Sequence, residues 1–195
     1  MSLLRAFIAV ELPIEIRQTV CNTTSKLRNE IGSLVRWVPI ENMHLTLKFL
    51  GDVSPANMDM LSQMLGAETD LFNCFDLRLN GIGSFPSLKR PRVIYVGIQA
   101  PVVLESLQRG IESASRRLGY ESEERGFSPH LTIGRVKQNV TATEQQLIRR
   151  ALEEAQIEAL GTTRVDSVEL FKSDLSPTGS VYTRLYSAPL KKAGY

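Results

Sequence analysis

The sequence predicts an α+β fold: a bilobal molecule in which two duplicated lobes, related by a pseudo-two-fold axis, flank a central cleft. Three observations carry this expectation. Both halves of the 195-residue chain run strand, proline-started helix, strand, capped helix, strand. One tetrapeptide recurs, HLTL at 44–47 and HLTI at 130–133, and holds both of the chain's histidines. The spacings agree as well: Pro13 to His44 and Pro101 to His130 span 31 and 29 residues, and the next helix cap follows each histidine after 10 and 11. On ordinary residue usage, a second histidine followed by Leu-Thr-(Leu or Ile) has a chance of roughly one in a thousand, so internal duplication is the better account. A single domain over residues 1–195 is expected, with approximate halves 1–88 and 89–195.

The elements follow in order. LRAFIAV (4–10) reads as a strand, and Pro13 suits the first turn of the helical stretch 14–31, which Gly32 ends. After VRWVP, residues 43–50 form a strand closed by Gly51, and Ser54-Pro55 caps a helix reaching about Leu65. FDLRLNGIG returns as strand. In the second half RVIYVGI (92–98) is a strand, and Pro101 opens a helix to about Leu118 that Gly119 stops. The strand with His130 follows, and Thr141-x-x-Glu144 is a capping-box signature opening a helix to about Ala159. Strands near RVDSVELFK and SVYTRLY complete the chain, and SFPSLKRPR (84–92) is the expected mobile loop between the halves.

A hydrophobic content of 43% is ample for a core, and a formal charge of +2 with pI near 8.6 is too weak for a polybasic DNA binder. It suits a local phosphate-binding cleft. Cys21 and Cys74 show no C-x-x-C spacing, which suggests neither zinc nor a disulfide framework and fits a reducing, cytoplasmic setting. Glu11 and Pro13 interrupt the apolar start, so no signal peptide is expected, and no apolar run approaches the roughly 20 residues of a membrane helix. No P-loop occurs, so chemistry driven by ATP is not indicated.

On a strand, alternate side chains share a face, so His44 and Thr46 point one way and Leu45 and Leu47 the other. The same parity sets His130 and Thr132 against Leu131 and Ile133. The apolar pair anchors each strand while two imidazoles and two hydroxyls meet in the cleft. Two imidazoles suit proton transfer at both ends of an in-line displacement at phosphorus, one accepting and one donating, because their ordinary pKa lies near 6.5. Threonine hydroxyls could hold the non-bridging oxygens. A metal site would need further ligands, and neither tetrapeptide supplies a carboxylate or thiol, so no metal and no cofactor are expected.

Lys48 shares parity with His44 and is a candidate phosphate contact, whereas Arg135 has the opposite parity to His130 unless a bulge at Gly134 resets it. Arg36, Arg90 and Arg92 read as solvated loop or strand-edge positions. Trp37 and Phe127, a few residues before the respective histidines, are candidate stacking faces for a nucleobase.

With two H-x-T-x motifs 86 residues apart, the chain resembles the 2H phosphoesterases, and within them the RNA 2′,3′-cyclic phosphodiesterase family, also called 2′-5′ RNA ligase. RAFIAVELP, NMHLTLKFLGDV, FPSLKRPRVIYVGI, FSPHLTIGRVK and SVELFKSDLSPTGSVYTRL carry the likeness across nearly the whole chain. The resemblance implies largely antiparallel sheets flanking the cleft and metal-free hydrolysis of RNA 2′,3′-cyclic phosphate ends to 2′-phosphomonoesters. It casts His44 as proton donor, His130 as proton acceptor, and Thr46, Thr132 and Arg135 as phosphate contacts. The reverse reaction would join a 5′-hydroxyl in a 2′-5′ linkage without ATP. RNA ends are then the expected partner, and a monomer with no membrane association the expected form. Two alternatives stay open: another cyclic nucleotide or an ADP-ribose cyclic phosphate as substrate, or a non-catalytic module that binds nucleotides or RNA ends.

Overall fold

The structure, a computed structural model, describes residues 2–176 and 179–192. The strands are β1 (Leu4–Glu11), β2 (Val35–Trp37), β3 (His44–Val53), β4 (Phe75–Phe85), β5 (Val93–Gln99), β6 (His130–Val136), β7 (Ala159–Val165), β8 (Ser167–Ser176) and β9 (Gly179–Pro189). The α-helices are α1 (Ile14–Thr23), α2 (Ser25–Ile31), α3 (Met58–Thr69), α4 (Val102–Arg117) and α5 (Ala142–Glu154). No helix is long and apolar enough to cross a membrane among the described residues.

Two sheets organise the molecule, ordered β3-β1-β8-β9 and β2-β6-β5-β4-β7, and every ladder between named strands is antiparallel. The order β3-β1-β8-β9 matches β6-β5-β4-β7 position for position, which is the pseudo-two-fold relation. The halves of the sequence interlock, because β8 and β9 complete the sheet of β1 and β3 while β4 and β2 join that of β5 and β6. β3 and β6 lie against one another where the two sheets meet.

The motif anchors do what alternation requires. Leu45, Leu47, Leu131 and Ile133 are buried in one continuous core with residues of the helices, among them Leu61, Leu104, Leu107 and Ile148. Burying a leucine or isoleucine contributes about 1.5–3 kcal/mol, so four such residues hold the two strands firmly.

Both motif strands carry a β-bulge at the same place. Thr46 and Lys48 pair with consecutive β1 residues, Ala9 and Ile8, leaving Leu47 as the extra residue. Thr132 and Gly134 likewise pair with Tyr95 and Ile94, leaving Ile133 extra. After each bulge the parity inverts, as the identical burial sequence through the first seven residues of both strands records. Gln108 of α4 donates Nε2 to the carbonyl of the extra residue Leu47 at 3.3 Å, satisfying a group the ladder cannot.

Three departures from the expected elements have local causes. The stretch 14–31 is two helices, broken at Thr24, whose hydroxyl bonds back to the Val20 carbonyl at 2.7 Å. α5 keeps its capping box, with Thr141 and Glu144 satisfying one another's backbone N–H, but ends at Glu154 rather than near Ala159. The residues beyond leave the helix and enter β7, an additional strand paired with β4.

Candidate active site

His44 opens β3 and His130 opens β6, so the same edge of each bulged strand presents its imidazole. His130 Nδ1 lies 2.7 Å from the Ser128 carbonyl, and His44 is held in the same way by the backbone of Asn42, also two residues upstream. A carbonyl only accepts, so the Nδ1 proton of His130 is committed to Ser128 and Nε2 is left free for chemistry.

Each ring rests on aromatic side chains. His44 stacks on Phe7 with centroids 4.7 Å apart and meets Tyr182 edge-on at 5.2 Å. Phe7 in turn stacks on Phe171 at 5.3 Å, and these residues form a small second hydrophobic cluster on the cleft face of the first sheet. His130 meets Phe85 edge-on at 4.9 Å and Tyr95 at 5.4 Å. Phe171 of β8 and Phe85 of β4 occupy matching strands under the pseudo-two-fold. Fixed rings leave each imidazole little freedom to rotate away.

The electrostatics differ between the copies. Burial pushes the His44 pKa down from 6.5 to about 4, the Asn42 bond opposing and the His130 charge adding to the shift. His130 is also lowered, first by burial, against the Ser128 bond, and then by the guanidinium of Arg135. Both rings are therefore neutral at pH 7 in the unliganded protein. Thr46 and Thr132 lie half-buried on the same faces as their histidines, paired with Ala9 and Tyr95.

The bulges decide the fate of the flanking cations. Arg135 is exposed on the His130 face, because the bulge at Ile133 resets its parity. The expectation that Lys48 meets a phosphate in the cleft is overturned by the same device on β3. Lys48 is 1% exposed, its ammonium lies 3.0 Å from each oxygen of Glu112 on α4, and it also donates to the Glu121 carbonyl. Phe49 takes the outward position instead and is 58% exposed.

The expectation that Trp37 offers a stacking face is corrected as well. Its indole donates to the Gly32 carbonyl at 3.2 Å, the Arg28 guanidinium covers the ring at 4.9 Å, and its edge packs on Gly134, on the face away from His130. Phe127 is half-buried against the main core, where it serves packing. The aromatic side chains that do approach the histidines are Phe7, Phe171 and Tyr182 on one side and Phe85 and Tyr95 on the other. Tyr95 was open to prediction, since RVIYVGI alternates Ile94, Val96 and Ile98 inward against Val93 and Tyr95. Phe7 was not, because its strand reads as apolar on both faces.

A cavity of about 300 Å³ opens beside His44, lined by Glu11, Glu41, Met43, Phe171, Tyr182 and Arg184. Arg184 lies 3.4 Å from Glu11, and Asn42 donates to the Ser180 carbonyl at 2.7 Å, so the β8–β9 hairpin reaches back over the first histidine. Among the described residues no group of three or more His, Cys, Asp or Glu side chains could hold a metal ion.

Comparison with known proteins agrees with this geometry. A family model described as LigT like Phosphoesterase matches the chain twice, over residues 10–95 and 96–182. The RNA 2′,3′-cyclic phosphodiesterase of Methanothermobacter thermautotrophicus is 32% identical over 179 residues, covering 92% of this chain and 95% of that protein. The protein of the same name from Thermotoga maritima is 31% identical, covering 94% of each. Among solved structures, E. coli LigT complexed with 3′-AMP superposes with a TM-score of 0.78 at 28% identity, covering 97% of this chain and 99% of that one. A Thermus thermophilus protein, TT0787, gives 0.79 at 26% identity, with 97% and 100% covered.

Proposed function

Because the chain belongs to the LigT-like phosphoesterase family, we propose that it is an RNA 2′,3′-cyclic phosphodiesterase that opens cyclic ends to 2′-phosphomonoesters by acid–base catalysis between its two histidines. The observation that carries this reading is the pairing of two bulged H-x-T strands, each with its imidazole tied upstream to a backbone carbonyl. It is supported by the relatives named RNA 2′,3′-cyclic phosphodiesterase, which align along nearly their full length.

In the proposed reaction Nε2 of His130 takes a proton from water as its oxygen attacks phosphorus, and the bond from phosphorus to the 3′ oxygen breaks in line. His44 donates a proton to that oxygen, leaving a 3′-hydroxyl and a 2′-phosphate. Thr46, Thr132 and Arg135 hold the non-bridging oxygens as charge shifts on them. Burial, with the charge of Arg135 adding to it, lowers the proton affinity of His130 and favours the unprotonated ring that a base requires. His44 must gain a proton to act as acid, and the anionic substrate beside it supplies the field that raises its pKa from about 4. Replacing water by a 5′-hydroxyl gives 2′-5′ ligation with the same groups, and the abundance of water favours hydrolysis. We propose further that it acts without metal or ATP, as a cytoplasmic, monomeric single domain with two duplicated halves.

Phosphorus NMR of an RNA 2′,3′-cyclic phosphate incubated with EDTA-treated protein tests this. The expected result is loss of the cyclic resonance and growth of a 2′-phosphomonoester signal. A 3′-phosphomonoester, or no turnover while the ligand binds, contradicts it, and turnover confined to another cyclic phosphate replaces the substrate.

A further inference from the structure

The second sheet carries a feature that the first lacks. β2 adds an edge strand beside β6, with Arg36 directly opposite Arg135 in the register. Cross-strand partners share a face, with Cβ atoms about 5 Å apart, so Arg36 points to the same side as Arg135 and His130. Its neighbours Val35 and Trp37 turn inward, against the position of Gly134.

Two like charges directly opposite destabilise a ladder. Two other strand arginines are compensated, Arg184 lying against Glu11 and Arg164 against Asp166. Among the described residues neither Arg36 nor Arg135 makes an ion pair. Both are exposed. The loop 86–92 continues the positive surface with exposed Lys89, Arg90 and Arg92. It leaves β4 at Phe85, against His130, and re-enters the sheet at Val93, the other cross-strand partner of Arg135. At the matching place on the first motif strand stands Phe49, and among the described residues no strand lies outside β3 in its sheet. The His130 side thus gathers five cations, none of them in an ion pair among the described residues, in a protein whose net charge is only +2.

We propose that Arg36 is a specificity residue that forms, beside Arg135, a second phosphate subsite. It holds the internucleotide phosphate attached through the 5′ oxygen of the terminal nucleoside, with the loop cations guiding the chain beyond it. The substrate class is then an RNA strand ending in a cyclic phosphate rather than a free cyclic mononucleotide. This deepens the function proposed above and rests on it.

The test compares a 2′,3′-cyclic mononucleotide with a short single-stranded RNA bearing the same cyclic end, in wild type, Arg36→Ala and Arg36→Lys. Loss of one charge-assisted phosphate contact lowers kcat/KM in Arg36→Ala about tenfold more for the RNA than for the mononucleotide, mainly through KM. The logarithmic salt dependence for the RNA flattens by about 0.7, the share of one phosphate on a single strand, and Arg36→Lys recovers most of both. Equal losses on the two substrates, no loss on either, or an unchanged salt slope overturns the subsite while leaving the phosphodiesterase reading intact. A wild type inactive on both overturns that reading and the subsite with it.

Discussion

β3 and β6 share a word of sequence, a bulge and a histidine at their first position, yet their surroundings differ. Behind the β3 bulge lies α4, whose Gln108 and Glu112 receive the Leu47 carbonyl and the Lys48 ammonium. Beside the β6 bulge lies β2, and a Cβ at Gly134 would come 2.6 Å from Val35 Cγ1. The inverted parity therefore sends a lysine into the protein in one copy and demands a glycine in the other. Outward, it presents Phe49 in the first and Arg135 in the second. Burial lowers the proton affinity of both copies, that of His44, deep on Phe7 and Tyr182, to about 4, and at His130 the charge of Arg135 adds to burial.

The harshest break of this comparison is removal of either imidazole. His44→Ala and His130→Ala should each lower kcat by about 10²–10⁴-fold, the usual worth of a positioned acid or base, with the fold retained by circular dichroism. A double variant no worse than either single one would show the pair acting as a unit. Next comes the buried pair behind the first motif. Lys48→Met strands the Glu112 carboxylate and should cost about 2–4 kcal/mol in urea unfolding, and removing the carboxylate as well with Glu112→Leu should recover part of that.

Of similar size is the effect of acid on stability. The folded state lowers the His44 pKa, so the unfolded chain binds that proton more tightly. The stabilisation is complete above pH 6.5 and is lost as pH falls toward about 4, amounting to about 3 kcal/mol for the 2.5-unit difference. His44→Phe should remove most of this dependence. Smaller again, Gly134→Ala should cost about 1–3 kcal/mol by pressing on Val35 and Trp37, since its backbone is not left-handed and only space is at issue. Last, substrate binding should move the pH profile of kcat to higher pH than that of kcat/KM, because the free enzyme holds the acid at about 4 and the anion raises it. Superimposable profiles would remove the role assigned to the substrate's charge.

Much of this was legible in the residues themselves. Alternation placed Leu45, Leu47, Leu131 and Ile133 in the core, the Thr141–Glu144 box marked its helix, and the repeat revealed the symmetry of the sheets. What escaped depends on contacts distant in sequence. A bulge at Leu47 has no local signature, and the partner that makes Lys48 a core residue lies 64 positions away on α4. Gly134 hinted at the second bulge, and the hint was sound. The end of α5 has no glycine or proline to announce it, so β7 was hidden. Trp37 near a histidine looked available for stacking only because Arg28, which covers its ring, and Gly134, against which its edge packs, come from other elements.

The asymmetry of the two imidazoles is open to direct measurement, since the chain contains no other histidine. Proton NMR of the ring resonances across pH, with and without a 2′-phosphorylated nucleotide, should show two titrations in the free protein. One lies at about 4 and disappears in His44→Phe, and the other lies below the ordinary value of 6.5. The nucleotide should raise the first by more than the second. Two titrations near 6.5 that the ligand leaves in place would contradict the account.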